Sequence, residues 1–136
     1  MMGTMAGDAP GRPWLVDGMN VIGARPDGWW RDKDAAIRAL IDDLREFAEA
    51  TGDSVIVVFD YRPRSFRPGA RGGVKARFAG GGPQAADEMI AAMVHEEPTY
   101  RVVTSDRALR SMVQAAGAEV EGAGSFRHRM DAARNR

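Results

Sequence analysis

The chain has 136 residues, 44% of them hydrophobic, which is enough to bury the core of one domain. It has no cysteine and only two histidines, which excludes disulfides and thiolate metal sites and disfavours zinc chemistry. The net charge is zero, and neither a secretory signal nor a bilayer-spanning stretch is present, so we expect a soluble, cytoplasmic protein.

The beginning of the chain divides into a leader and a first strand. Residues 1–12 are polar and rich in glycine and proline, which predicts a flexible N-terminal leader. We expect residues 13–136 to form a single domain. An apolar run at Pro13–Asp17 ends in an acid before Gly18, which predicts a buried strand that stops at a turn.

Helix and strand patterns then alternate. Helices are predicted to start near Asp34, after Pro83, at a cap on Ser105 and near Ser125. The first has Asp32 or Asp34 as its cap and Gly52 as its end. Further strands are predicted at Ser54–Phe59, Val74–Ala79, Thr99–Thr104 and Ala118–Glu121. The rest of Tyr61–Gly82 reads as an extended loop. This order predicts a Rossmann-like three-layer α/β/α sandwich with a mostly parallel central sheet.

Four aspartates are predicted to share one edge of that sheet. Asp17 and Asp60 end the first two strands, Asp106 follows the strand ending at Thr104, and Asp87 begins a helix. Sites in open parallel sheets form outside the carboxyl ends of the strands. Because neighbouring carboxylates disfavour joint ionisation, a divalent cation with a preference for oxygen, Mg²⁺ or Mn²⁺, is the simplest counter-charge.

Each acid also has a purely structural explanation. Asp87 and Asp106 lie in first helical turns, where acids offset the helix dipole. Asp17 and Asp60 are placed where a carboxylate can brace a turn. Because all four aspartates are predicted at one edge of the sheet, a metal site is nevertheless favoured over four unrelated structural roles.

Other polar residues are weaker candidates. Asn20 is expected either to hold an acid or a metal-bound water through its amide, or to serve in a turn. Ser105 is expected either to orient a ligand or, more simply, to cap a helix. His95 ends a predicted helix and His128 lies in a basic tail, so neither is expected to be catalytic.

A basic segment and a tryptophan pair are candidates for binding RNA. The segment Tyr61–Phe78 has no acidic residue, and its six basic side chains can hold a phosphate backbone or form an ordinary solvated loop. Trp29 and Trp30 lie in a connection where an indole can stack on an unpaired base or cover the core. The basic residues are Arg62, Arg64, Arg67, Arg71, Lys75 and Arg77.

Four motifs resemble the NYN family and, within it, the YacP-like bacterial branch. They follow the family's order and spacing and span nearly the whole chain from Trp14 onward. The motifs are WLVDGMNVI at Trp14–Ile22, VIVVFD at Val55–Asp60, AADEMI at Ala85–Ile90 and VVTSDRALR at Val102–Arg110.

The resemblance implies a PIN-like fold and an endoribonuclease with one or two metals. It assigns the acidic-site positions to Asp17, Asn20, Asp60, Asp87 and Asp106. It also implies an RNA substrate, with messenger or stable RNA engaged near the ribosome as the options. We expect Asp17 and Asp106 to be direct ligands, while the other two acids act through water, complete a second site or position the nucleophile.

The sequence departs from the family around the second predicted helix. Gln84 stands where relatives often have an acid, and Ala91 stands where a glutamate is common. These departures favour, as the alternative, an RNA-binding module that no longer cuts. A phosphoryl-transfer domain, of the receiver or phosphatase type, is disfavoured because Asp17 is followed by Gly18 rather than by a second acid. A structural, partner-binding domain is the remaining alternative.

Overall fold

The computed structural model describes residues 11–63, 69–82 and 84–135. The strands in them are β1 Trp14–Asp17, β2 Val55–Phe59, β3 Gly69–Arg71, β4 Val74–Phe78, β5 Arg101–Val103 and β6 Glu119–Glu121. The helices are α1 Gly18–Gly23, α2 Lys33–Thr51, α3 Ala85–Glu96, α4 Arg107–Ala115 and α5 Ala123–Arg134, with a 3-10 turn at Trp29–Arg31. Most of the predicted leader, residues 1–10, lies outside this description.

The six strands form one sheet in the order β3-β4-β2-β1-β5-β6. Every neighbouring pair is parallel except β3 and β4, which are antiparallel. The predicted mostly parallel sheet is therefore confirmed. β1 lies between β2 and β5, so the carboxyl ends of the second, first and fifth strands stand side by side.

Two hydrophobic clusters cover the two faces of the sheet. Alternate residues of β1 supply them: Val16 belongs to the cluster beneath α1, α2 and α5, and Leu15 to the cluster beneath α3 and α4. This division follows from the pleat, which points successive side chains to opposite faces. The three-layer arrangement predicted from the sequence is confirmed.

The first long helix follows its sequence signals closely. The Asp32 carboxylate accepts a hydrogen bond from the Ala35 N–H at 3.0 Å, and Gly52 ends α2 in the left-handed conformation at φ 78°. Of the two predicted caps, Asp32 is therefore the one used.

The turn predicted after β1 is wrong, because α1 begins directly at Gly18. The helix forms because Val21 and Ile22 bury their side chains against the core. Gly18 allows the helix to start so close to the sheet: a Cβ there would lie 2.4 Å from a ring carbon of Phe59. A glycine is required at this position by packing.

The extended loop predicted for Tyr61–Gly82 is wrong at residues 69–71, which form β3 and pair with β4 as a hairpin. Its turn is made by Gly72 and Gly73, with φ of 55° and 84°. Positive φ at both central residues is the requirement of a type I′ turn, which matches the twist of paired strands. No described helix is long and apolar enough to cross a membrane.

Candidate active site

Four aspartates come together at the carboxyl edge of the sheet, as the sequence predicted. Asp17 is the last residue of β1, Asp60 follows β2, Asp106 lies beyond β5, and Asp87 is in the first turn of α3. Their charges interact: Asp60 and Asp87 both raise the pKa of Asp17, and Asp106 raises that of Asp87. Residues distant in sequence thus share one electrostatic environment.

Asp17 is the most buried of these acids, with 6% of its surface exposed. Burial is the main reason that its pKa rises to about 6, and the charges of Asp87 and Asp60 add to the effect. Hydrogen bonding from Thr104, and more weakly the backbone N–H of Asn20, oppose the rise. The Asp17 carboxyl group therefore gains or loses its proton at a pH about one unit below neutral.

Thr104 supports Asp17 from the neighbouring strand. Its hydroxyl donates to Asp17 Oδ2 at 2.9 Å and accepts from the Asp106 N–H at 3.1 Å. The side chain is fully buried, so both bonds are shielded from water. Thr104 was not predicted from the sequence, where its signal was a hydroxyl at the end of a buried strand, two residues before an acid.

Asp60 and Asp87 join the site to the start of α3. Asp60 Oδ1 accepts a hydrogen bond from the Ala86 N–H at 3.3 Å. Burial is the main cause of the raised pKa of Asp87, followed by the charges of Asp106, Asp60 and Glu88. These two acids consequently lie where the positive end of a helix partly offsets their charge.

Asp106, and not Ser105, caps α4, so the predicted serine cap is wrong. Asp106 Oδ1 accepts from the Leu109 N–H at 2.9 Å. The Ser105 hydroxyl instead accepts from the Ala123 N–H at 2.9 Å, in the first turn of α5. A carboxylate is a stronger acceptor than a hydroxyl for the N–H groups at a helix start. Asp106 uses one oxygen for this capping bond, so its second oxygen does not take part in the cap.

Asn20 connects α1 to the loop after β5. Its Oδ1 accepts from the Ser105 N–H at 2.8 Å, which fixes the orientation of the amide. Because the oxygen is engaged, the amide nitrogen is the atom of Asn20 that remains to donate to a ligand. Asn20 and Ser105 thus hold neighbouring loops of the site together.

The aspartates at the sheet edge offer only oxygen atoms as donors to a metal ion. Within residues 11–63, 69–82 and 84–135, no three carboxylate or imidazole side chains are close enough together to enclose an ion. Mg²⁺, however, is usually held by one or two carboxylates and several waters. An oxygen-only edge with one buried and three partly exposed aspartates that repel one another fits an ion bound in this partly hydrated way.

The described part of the basic segment flanks this edge. Arg62 is exposed just after Asp60, and Lys75 and Arg77 are exposed at alternate positions of β4. The intervening Ala76 packs into the α2 side of the core, so the two basic side chains lie on the opposite face, with α3. Arg64, Arg67 and the side chain of Arg71 lie outside the described residues.

The two tryptophans have different environments. Trp29 is half-buried and packs against the core, whereas Trp30 is 54% exposed. Their rings meet edge to face with centroids 6.0 Å apart, and the Arg31 guanidinium lies over Trp30 at 5.9 Å. Of the two predicted roles, covering the core therefore applies to Trp29, although part of its ring also lines a surface cleft, and Trp30 is the more exposed of the two.

Comparison with known proteins agrees with this architecture. The crystal structure of Rae1 (YacP) from Bacillus subtilis is similar, with a TM-score of 0.74, 25% identity, and 90% of this chain and 75% of that chain covered. For a tryptophan-to-leucine mutant of Rae1 the TM-score is 0.75, the identity 26%, and the coverage 90% and 76%. Among curated proteins, none matches the sequence.

The family model of the YacP-like NYN domain matches residues 14–136. This range contains all six strands and the four aspartates at the sheet edge. The chain therefore belongs to the YacP-like NYN domain family.

Proposed function

We propose that the protein is a metal-dependent endoribonuclease that hydrolyses RNA phosphodiester bonds at the acidic sheet edge. The observation that carries the proposal is the placement of Asp17, Asp60, Asp87 and Asp106 at one carboxyl edge of the sheet, with Asp17 buried and the charges of its neighbours disfavouring its ionisation. A bound divalent cation relieves such mutual repulsion, and titratable groups with shifted pKa values cluster at functional sites. Membership of the YacP-like NYN family supports an RNA substrate.

Each acid has a defined role in this proposal. Asp17 and Asp106 hold Mg²⁺ or Mn²⁺, and Asp60 and Asp87 hold waters of that ion or position the attacking water. Asp60 and Asp106 each use one oxygen for a backbone N–H, which fixes the carboxylate and leaves the second oxygen for this task. When bound, the ion supplies an activated water and neutralises charge on the phosphate.

Groups other than the acids orient the RNA. The Asn20 amide nitrogen is a neutral donor for a non-bridging phosphate oxygen, because its own oxygen is held by Ser105. Arg62, Lys75 and Arg77 hold the phosphate backbone on the α3 side of the edge. Engagement of RNA near the ribosome, implied by the family resemblance, stays a prediction.

The test is cleavage of labelled single-stranded and structured RNAs with Mn²⁺, Mg²⁺ or EDTA. We expect internal cleavage with either metal and none in EDTA. Asp17→Asn and Asp106→Asn should abolish it, whereas Asp42→Asn, an exposed acid on α2, should leave it intact. Full activity in EDTA would contradict the metal mechanism.

The second candidate is an RNA-binding module without cleavage. It is favoured by the lack of a three-acid group within the described residues. Gln84 adds to this, since it precedes α3 at the N-cap position, makes no side-chain capping bond and supplies no carboxylate. Tight binding of the same RNAs, with no cleavage in either metal, would select this alternative.

A further inference from the structure

A cleft of about 420 Å³ lies on the other side of the molecule from the exposed basic residues of β4. It is bounded by the end of α1, the loop that follows, the first half of α2 and one side chain of α5. The lining residues that matter here are Ile22, Arg25, Asp27, Trp29, Asp43 and Arg127.

The cleft is near the acidic edge because α1 links the two. α1 starts directly after Asp17 and has six residues, so it is about 9 Å long. Ile22, in its last turn, lines the cleft. A strand of RNA with a phosphate at Asp17 thus has a base from a neighbouring nucleotide within reach of this space.

An aromatic wall and both kinds of hydrogen-bonding group face the space. Trp29 is fixed by packing on the core and by its edge-to-face contact with Trp30. Fixed indole rings bind unpaired bases by stacking. The part of Trp29 that lines the cleft is therefore held in place before a base binds.

Two guanidinium groups supply the donors. Arg25 Nη2 binds both carboxylate oxygens of Asp131 at 3.1 Å, and Arg127 reaches the Val21 carbonyl and Asp43, each at 3.4 Å. Arginine has five N–H donors, so these anchors hold the guanidinium groups in place and leave further donors for a ligand.

Asp27 supplies the acceptor. It is exposed, and no described residue donates a hydrogen bond to its carboxylate or pairs with it in a salt bridge. Asp43 also lines the cleft, so a phosphate group would meet negative charge there. A neutral base with its own N–H donors is the better occupant.

We propose that this cleft binds a guanine base of the RNA substrate, next to the phosphodiester at the acidic edge. The inference rests on the proposed function. Guanine has O6 and N7 as acceptors for an arginine fork, and N1–H and the 2-amino group as donors for a carboxylate. Of the four bases, guanine alone offers two acceptors for one arginine, Arg25 or Arg127, together with two donors for the Asp27 carboxylate.

The test measures binding without cleavage. Fluorescently labelled single-stranded uridine oligomers carrying one guanosine, or one inosine in its place, are titrated in EDTA. Inosine lacks only the 2-amino group. We expect the wild-type chain to bind the guanosine oligomer about tenfold more tightly, the loss expected for one bond to a charged group.

Asp27→Ala should abolish the difference between guanosine and inosine. Asp42→Ala removes an equal charge from an exposed site outside the cleft and should keep the difference, which controls for general electrostatics. Equal binding of both oligomers by the wild-type chain, or a difference that survives in Asp27→Ala, would overturn the guanine site.

Cleavage with metal separates this inference from the proposed function. Metal-dependent cleavage of both oligomers at equal rates, together with equal affinities, contradicts the guanine site and supports the nuclease. A guanosine preference in EDTA without cleavage in Mg²⁺ or Mn²⁺ supports the cleft and contradicts the nuclease.

Discussion

At the scale of single residues, Asp17 is an acid at the proposed site in an environment that disfavours its charge. Burial raises its pKa from 3.8 to about 6. Between these two pH values the folded chain binds a proton that the unfolded chain releases. The folded state is therefore favoured below about pH 4, and this contribution is lost as pH rises through about 6.

Asp17→Asn should consequently stabilise the fold at neutral pH. The amide needs no ionisation and keeps an oxygen for the Thr104 hydroxyl. We expect the free energy of unfolding to rise by about 3 kcal/mol at pH 7.5 and to come within about 0.5 kcal/mol of that of wild type at pH 4. Urea unfolding at several pH values measures this. A variant less stable than wild type at pH 7.5 would contradict the pKa assignment.

Gly18→Ala tests the contact between α1 and the sheet. The new methyl group would lie 2.4 and 2.5 Å from ring carbons of Phe59 and 3.0 Å from the Val58 carbonyl oxygen. We expect a loss of about 1–3 kcal/mol in unfolding free energy, since the ring and the helix must move apart.

The control is Gly124→Ala in α5, where nothing lies within 4 Å of the added Cβ. That variant should be neutral or up to about 1 kcal/mol more stable, because alanine favours a helix. Equal losses at both glycines would show that close packing is not the cause.

At the scale of elements, the Asp106 carboxylate is both the cap of α4 and a member of the acidic site. Asp106→Asn should separate these roles, because the amide oxygen still accepts from the Leu109 N–H. We expect stability within about 0.5 kcal/mol of wild type with cleavage lost. Asp106→Ala should also lose about 1 kcal/mol of stability. Thermal unfolding and RNA cleavage measured on both variants check this; equal stability of the two would exclude the cap.

The sequence predicted the elements whose signals are local. Asp32, Gly52 and the apolar stripe of α2 specify that helix without reference to the rest of the fold. β3 was missed because three residues, Gly69–Arg71, are too short for a pattern, although Gly72 and Gly73 carried the hairpin signal.

The position of the candidate site could be predicted from the sequence, but the hydrogen bonds within it could not. The alternation of strands and helices placed the four aspartates at one edge. The hydroxyl that supports Asp17 belongs to Thr104, 87 positions later in the chain. The two residues meet only because β1 pairs with β5. The exchange of roles between Ser105 and Asp106 depends in turn on where α5 begins, since Ala123 takes the serine hydroxyl.

At the scale of the whole molecule, a bound ion should stabilise the fold by mass action. We expect Mg²⁺ or Mn²⁺ at about 100 times its dissociation constant to add about 2.7 kcal/mol to the wild-type unfolding free energy. Asp17→Asn should show no such gain, because the proposed ligand is lost. Thermal unfolding with each ion, and with Ca²⁺ for comparison, measures the effect. An equal rise in Tm for both proteins would place the ion elsewhere.

The exposed basic side chains of β4 should act through charge over the whole RNA interface. Lys75→Glu with Arg77→Glu should weaken RNA binding and reduce its salt dependence, with little change in Tm. Arg12→Glu is the matched control, since Arg12 precedes β1 at the opposite end of the sheet. RNA affinities of the variants and of the wild-type chain, measured at several salt concentrations, show whether Lys75 and Arg77 contact the RNA. Unchanged binding at low salt would remove these residues from the interface.

The position of β1 also bears on the order of folding. β1 is first in the chain, yet its neighbours β2 and β5 begin at Val55 and Arg101. The central strand is thus completed only after long loops close, which is slow. The four aspartates meet only at that step, so the proposed cleavage of RNA should require all three of these strands. Recovery of cleavage during refolding should therefore lag behind the formation of helices.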